Sequence, residues 1–396
     1  MHRQASIAIF VLLSGFAGSP LHAGIYSTFD ADEEVKQYSR DYRNVFKRLL
    51  DAMKTIPNDA TESHPAIRKR YLMMEQLGQA GSARLKSLED RLNYSAVLIR
   101  RGKAYEATQF LMPLTREYPD NFIVWSQYAT AHFLSGNPDF KKKSAELMKH
   151  AMELWPKQYN EVKEELLPFL NNIGLVDTEF DRYRSVEVHL ERLIRNRLRE
   201  DRLNQQGKAV EETVDPIFLE ADGEHKPVRY VNSKGEFEPG KIAEEERKKL
   251  PPTAIEIVEQ MLLWMPYDQR LLWQLGELFN ASAMDAQKDD QKNRAIRDAH
   301  FIFNETDPAF NRTRFAVKEI QSRKEKLAEK IRELPAEQQL AAAQLGNLLK
   351  DEEPGALNRR EWWRTLTVGF ITGFAVGLFA LWQLQEWRRR RNRAVV

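Results

Sequence analysis

Residues 91–119 read RLNYSAVLIRRGKAYEATQFLMPLTREYP, and the spacing within this stretch decides the kind of fold to expect. Tyr94, Ser95 and Leu98 recur at helical intervals, Gly102 interrupts the run, and Ala107, Leu111 and Leu114 resume it on a second helix that stops near Pro119. Residues three and four apart share one helical face, so each half carries a single apolar stripe. Glycine permits the sharp turn between them. Proline cannot prolong a helix, because it lacks an amide proton and its ring clashes with the preceding turn. The small Ala107 lets the two helices approach closely, while the larger side chains fill the seam. A hairpin of this kind cannot bury its apolar face alone, so it stacks on copies of itself.

The same grammar returns along the chain. Trp125, Tyr128, Ala129, Gly136, Ala151 and Pro156 repeat the order of large, small and breaking residues. Ala254, Val258, Met261 and Pro266 look like the second helix of a later unit. Leu275, Gly276 and Phe279 look like the first helix of the next, with Ala295, Ala299 and Ile302 on its partner. These residues resemble the tetratricopeptide repeat (TPR), which pairs two helices in 34 residues and ends near a proline. The clearest tandem, within residues 85–158, covers about a fifth of the chain. Pro119 and Pro156 lie 37 apart (156 − 119), a three-residue excess that the sequence places most simply at Asn137, Pro138 and Asp139. Arg91 stands where the family prefers tryptophan, and Leu114 where it prefers alanine.

The resemblance implies a concave groove lined by first helices: Leu92, Ala96 and Ile99 from one unit, Ser126, Thr130 and Phe133 from the next, and Trp273, Glu277 and Asn280 from the later pair. It also implies a protein or peptide ligand in that groove, an extended segment or an amphipathic helix being the usual occupants. The lysine, arginine and asparagine set with which the family clamps a C-terminal carboxylate is missing at these places, so that mode is not expected. Packing is the competing reading of Phe133 and Trp273.

Both ends of the chain speak about compartment. Residues 1–23 run from basic His2 and Arg3 through an apolar core, Ile7 to Phe16, to Leu21-His22-Ala23. That layout reads as a secretory signal peptide, with an uncleaved anchor as the alternative, since the core is too short to span a bilayer. Leu366 to Leu384 carries no charged residue and is flanked by Trp362, Trp363 and Trp387, followed by Arg388, Arg389, Arg390, Arg391 and Arg393. An apolar run of about 20 residues matches the hydrocarbon thickness, tryptophan favours its interfaces, and the basic cluster stays cytoplasmic. The expected topology is a single-pass type I membrane protein with its bulk on the extracytoplasmic (periplasmic) side. Gly369, Gly373 and Gly377 fall on one face of the span. They fit either close packing in a homodimer or the ordinary tolerance of membrane helices for glycine.

The expected organisation follows. The fold class is all-α: a TPR-like solenoid of helical hairpins with a small β or loop insertion and one C-terminal transmembrane helix. Residues 1–23 are the signal peptide, 24–81 an N-terminal helical pair or cap, and 82–158 the first tandem. Residues 159–250 hold a helix with the stripe Tyr183, Val186, Leu190 and Leu193, then an insertion rich in proline and glycine. Within it Asn232 to Gly235 reads as a turn, so a β-hairpin or an ordered loop is expected, either touching the ligand or merely linking. Residues 251–310 hold the second tandem, 311–361 charged helices resembling a juxtamembrane stalk with Leu327, Ile331 and Leu334 available for packing, 362–387 the span and 388–396 the basic tail.

No motif for catalysis emerges. The zero cysteine count excludes disulfides and thiolate chemistry, and the net charge of +2 gives no field for nucleic acid. The mean hydropathy of −0.58 and charged fraction of 30% suit solvated helices. Metalloprotease, nucleophile-elbow and phosphate-loop patterns are missing from the sequence. His132 and His150 read as packed histidines. Asp215, Asp222 and Glu224 read as a solvated turn because they lack the alternation of an EF-hand loop. Glu244–Glu246 and Arg247–Lys249 read as helix surface. The expectation is a scaffold or adaptor for envelope assembly, without catalysis and without cofactor or metal. Its rivals are an enzyme with its site in residues 208–250, and a purely structural oligomer.

Overall fold

The computed structural model describes residues 73–335, save 79–80, 82–83, 173–174, 208–213, 219–226, 266–267 and 307–313, together with residue 339. The predicted signal peptide, most of the N-terminal pair, the transmembrane segment with Gly369, Gly373 and Gly377, and the basic tail lie outside the described residues. Among those described the chain is 72% helical with no strand, an all-α architecture. None of these helices is long and apolar enough to cross a membrane.

Nine helices carry the architecture: α1 Leu88–Arg100, α2 Ala104–Glu117, α3 Phe122–Leu134, α4 Pro138–Leu154, α5 Asp177–Gln205, α6 Ala254–Trp264, α7 Gln269–Ser282, α8 Asp289–Glu305 and α9 Arg314–Arg332. Each packs against its successor in the chain, and α1 also reaches α3. Local chemistry sets the boundaries. Ser87 caps α1 through the Asp90 amide, and the Asp90 carboxylate returns the bond to the Ser87 amide. Asn121 caps α3 by accepting from the Ile123 and Val124 amides. Gly102 and Gly136 both take φ +72°, the left-handed conformation that a tight turn demands. The three-residue excess of the second unit is not loop. Asn137 is the N-cap of α4 and Pro138 its first residue, and α4 runs 17 residues against 14 in α2.

The core is the set of seams between consecutive helices. Ala107, Leu111, Ala129, Ala151, Ile257, Leu275, Ala299 and Ile302 are fully buried, as is the α5 stripe of Tyr183, Val186, Leu190 and Leu193. Gly276 sits where α7 meets α8, and a Cβ built on it would lie 2.9 Å from the Phe303 ring. Gly276→Ala is therefore expected to destabilise the fold by roughly 1–3 kcal/mol through overpacking. A urea titration reads this as a lowered midpoint at unchanged slope, and an unaltered midpoint would show that Phe303 has room to move.

Two expectations take definite form here. The charged stretch resembling a stalk is packed through its apolar positions up to Pro335. It packs on α8, with Ile320, Leu327, Ile331 and Leu334 buried. Of the two forms expected for the insertion, its described residues take the ordered loop, with a single isolated bridge between Glu238 and Lys241 and no hairpin ladder among them. Its turn lies where the sequence put it: Asn232 Oδ1 accepts from the Lys234 and Glu236 amides, and Gly235 adopts φ +80°.

Candidate functional site

The nine residues expected to line a free groove are all buried, none more than 5% exposed. Neighbouring elements of the same chain cover them. Leu92 and Ile99 sit in the α1 seams, and Gln127 of α3 donates to the Leu92 carbonyl at 2.8 Å. Ser126 donates to Glu187 of α5 at 2.6 Å, and Thr130 to the Ser126 carbonyl at 2.9 Å. The guanidinium of Arg197 lies 5.9 Å from the Phe133 ring centre, and the Lys141 ammonium 5.8 Å. Trp273 donates to Glu277 at 2.9 Å, while Arg323 of α9 pairs with Glu277 and lies over the Trp273 ring at 5.4 Å. As lining of an open groove these positions are corrected: successive helices stack closely enough to consume their small faces.

What covers the α5, α7 and α9 faces is more informative. Two pieces of the insertion, residues 214–218 and 227–243, lie across them as a strap. Asp215 is held bidentately by Arg197, at 3.0 Å from Nε and 2.7 Å from Nη2, and Arg270 approaches at 3.1 Å. Arg197 also pairs with Asp268, the N-cap of α7, at 2.8 Å, and Arg270 with Glu200 of α5 at 2.9 Å. The planar guanidinium fork suits two carboxylates at once. Burial alone would lower the pKa of Arg197, but Asp215 and Asp268 raise it, so its charge is permanent. Burial likewise pushes the Asp268 carboxyl up, yet the Arg197 charge and hydrogen bonds, with the Leu271 amide, hold it below the usual carboxylate range.

The remaining contacts fall on the strap main chain. Gln274 donates to the Asp215 carbonyl at 3.2 Å, Asn196 to Pro216 at 2.9 Å and Arg192 to Ile217 at 3.4 Å. Pro216 forms the bend, with the Ile217 amide donating to the Asp215 carbonyl at 2.8 Å. Ile217 and Phe218 are buried, Phe218 against the His189 ring at 5.4 Å. Farther along, Lys326 donates to the Phe237 carbonyl at 3.0 Å. Asn280 donates to the Glu238 carbonyl at 3.2 Å and accepts from the Gly240 amide at 2.6 Å. Gly240 takes φ +74° against Ile296, which permits that approach. Phe237 stacks under the Arg323 guanidinium at 4.8 Å, and Tyr230 is buried beside Gln274 and Glu277, its phenol pushed up by burial first.

Chemically, this face holds polypeptide: amide and guanidinium donors aim at carbonyl oxygens, and two arginines flank a carboxylate. Among the sequence-predicted positions, Asn280 touches the strap and Trp273 and Glu277 meet its neighbours, as Phe133 of α3 does through Arg197, whereas the α1 positions lie in helix seams. Sequence reading missed Arg197, Asp215, Asp268 and Arg270 as a unit. Asp215, taken for a solvated turn residue, is 2% exposed, as is Glu246, taken for helix surface. Glu246 instead accepts from the Arg229 amide at 2.9 Å and pairs with Lys249 at 3.0 Å. A signal existed in the stripe Arg192, Asn196, Arg197 and Glu200, polar side chains at helical spacing alongside the apolar one. His132 faces the Phe140 carbonyl at 3.2 Å, and His150, its side chain 43% exposed, meets the Trp125 ring edge-on.

Among the described residues no cluster of three or more histidine or acidic side chains is arranged to hold a metal ion. No protein-family model matches this chain, and comparison with curated proteins and with solved structures returns no match.

Proposed function

We propose that this chain is a TPR-type scaffold, tethered by residues 362–387 in a membrane and holding protein or peptide partners on the extracytoplasmic side during assembly of an envelope complex. The observation that carries the reading is the face of α5, α7 and α9, whose side chains grip an irregular segment by its main chain. That is how a stacked helical surface holds an extended peptide. The order of helices supports the repeat assignment. α1–α2, α3–α4 and α7–α8 are hairpins in chain order, α5 and α6 pair across the insertion, and α9 closes the stack. The signal-like N-terminus and the apolar C-terminal stretch with its arginines supply the topology, and the three glycines of that stretch offer a second, membrane-level contact.

A reporter fused after Val396 and protease treatment of spheroplasts, with the outer membrane opened, test the topology together. The tail should read cytoplasmic and residues 73–335 should be cut from outside. Affinity capture of the detergent-extracted full chain should then yield another protein at near-stoichiometric amounts. Reversed topology, or a chain recovered only as its own oligomer, would overturn the scaffold reading in favour of a purely structural component.

A further inference from the structure

Residues 214–218 have the features of a ligand rather than of a structural element. They form no helix or strand, and Asp215, Ile217 and Phe218 are nonetheless almost fully buried. Their order is imposed from outside, by Gln274, Asn196 and Arg192 on three successive carbonyls and by Arg197 and Arg270 on the one carboxylate. Contacts to carbonyl oxygens are indifferent to side-chain identity, so any chain of the same bend satisfies them. Selectivity lies in the seats for the aspartate, for Ile217 and for Phe218 beside His189. The two arginines do not depend on the strap for their charge balance, because Arg197 keeps Asp268 and Arg270 keeps Glu200 when Asp215 is taken away.

From this geometry we infer that residues 214–218 are a built-in occupant of the peptide site on α5 and α7. A partner segment enters by displacing them, and it presents an acidic side chain, a proline bend and then two apolar side chains. The inference rests on the scaffold reading and names its recognition chemistry and its regulation. A tethered segment acts at an effective concentration in the millimolar range, so a strap whose own dissociation constant is on the order of 10 μM suppresses a free competitor by about 100-fold. The site is therefore closed until a partner brings a better-fitting segment or further contacts elsewhere.

The test uses the full chain in detergent and a fluorescent pentapeptide of the sequence Val-Asp-Pro-Ile-Phe. In the wild-type protein the strap should keep binding weak. In a variant carrying Asp215→Ser, Ile217→Ser and Phe218→Ser, the peptide should bind about 100-fold more tightly. Exchange of the peptide's aspartate for asparagine should lose about 10-fold of that gain, on the scale of a hydrogen bond to a charged group. Equal binding to wild type and variant, or no binding to a variant that keeps its helical circular dichroism, overturns the inference. So does a variant that loses its helices, since the strap is then core and not occupant. If the peptide fails while a stoichiometric partner still co-purifies with the wild-type chain, the strap inference falls and the scaffold reading stands.

Discussion

Arg197→Met is expected to lower the stability of the described domain by about 3–5 kcal/mol at pH 7, the cost of leaving buried carboxylates without their cation. Asp215, with its side chain fully buried, would keep only Arg270, and Asp268, 10% exposed, would lose its guanidinium. The deficit carries a pH signature. Burial raises the Asp268 pKa and Arg197 more than offsets it, so the folded value lies below the ordinary one of 3.8. A depressed carboxylate contributes stability above its unfolded pKa and loses it as pH falls through the folded value. The difference between wild type and variant should therefore be full at pH 7 and shrink as the pH drops below about 5. Urea midpoints at pH 7 and pH 4 check this. An equal deficit at both would assign the loss to the contact of the guanidinium with the Phe133 ring and not to its pairing with the carboxylates.

Arg323→Met should have a comparable effect of about 3–5 kcal/mol at pH 8, with a different window. Glu277 is 1% exposed, and its pKa is raised above 4.5 chiefly by burial, against which Arg323 is the foremost opposing influence. A raised carboxylate loses its contribution to stability as pH climbs from the unfolded to the folded value. Removing Arg323 lifts Glu277 further, so the variant buries a carboxylate without its cation at high pH and relieves that cost by taking up a proton as the pH falls. Its deficit should shrink between pH 8 and pH 5, by at most about 1.4 kcal/mol for each pH unit over which Glu277 carries the extra proton. Adding Glu277→Gln should recover part of the loss at pH 8 and little at pH 5. A pH-independent deficit, with no recovery in the double variant, would mean that the arginine serves only to cover the Trp273 and Phe237 rings.

These two ion clusters explain why the candidate site was only partly readable. Trp273, Glu277 and Asn280 were named because the repeat resemblance implies that first helices line a face, and that face of α7 does meet other elements. What they meet was not visible. Glu277 and Arg323 are 46 residues apart, Arg197 and Asp268 are 71 apart, and Asn280 and Gly240 are 40 apart. Over such distances local periodicity carries no information about partners. The positions on α1 and α3 failed for a related reason: a small side chain on a first helix serves an open groove or a tight seam equally well. Stacking distance chooses between them, and here it chose the seam.

The sequence by itself determined the helices and their turns. Periodicity of three and four, glycine at left-handed turns, Asn and Ser caps and helix-ending prolines are properties of a dozen neighbouring residues, and they placed Gly102, Gly136 and Gly276 in their roles. Only the tertiary structure decided the path of residues 214–243 and the choice of Arg197 and Arg270 as their anchors. It also decided that the three extra residues of the second unit lengthen α4 rather than its loop. A helix is closed by bonds within one turn, whereas a strap is held wholly by what the stack brings to it. Its course exists only once the helices are assembled.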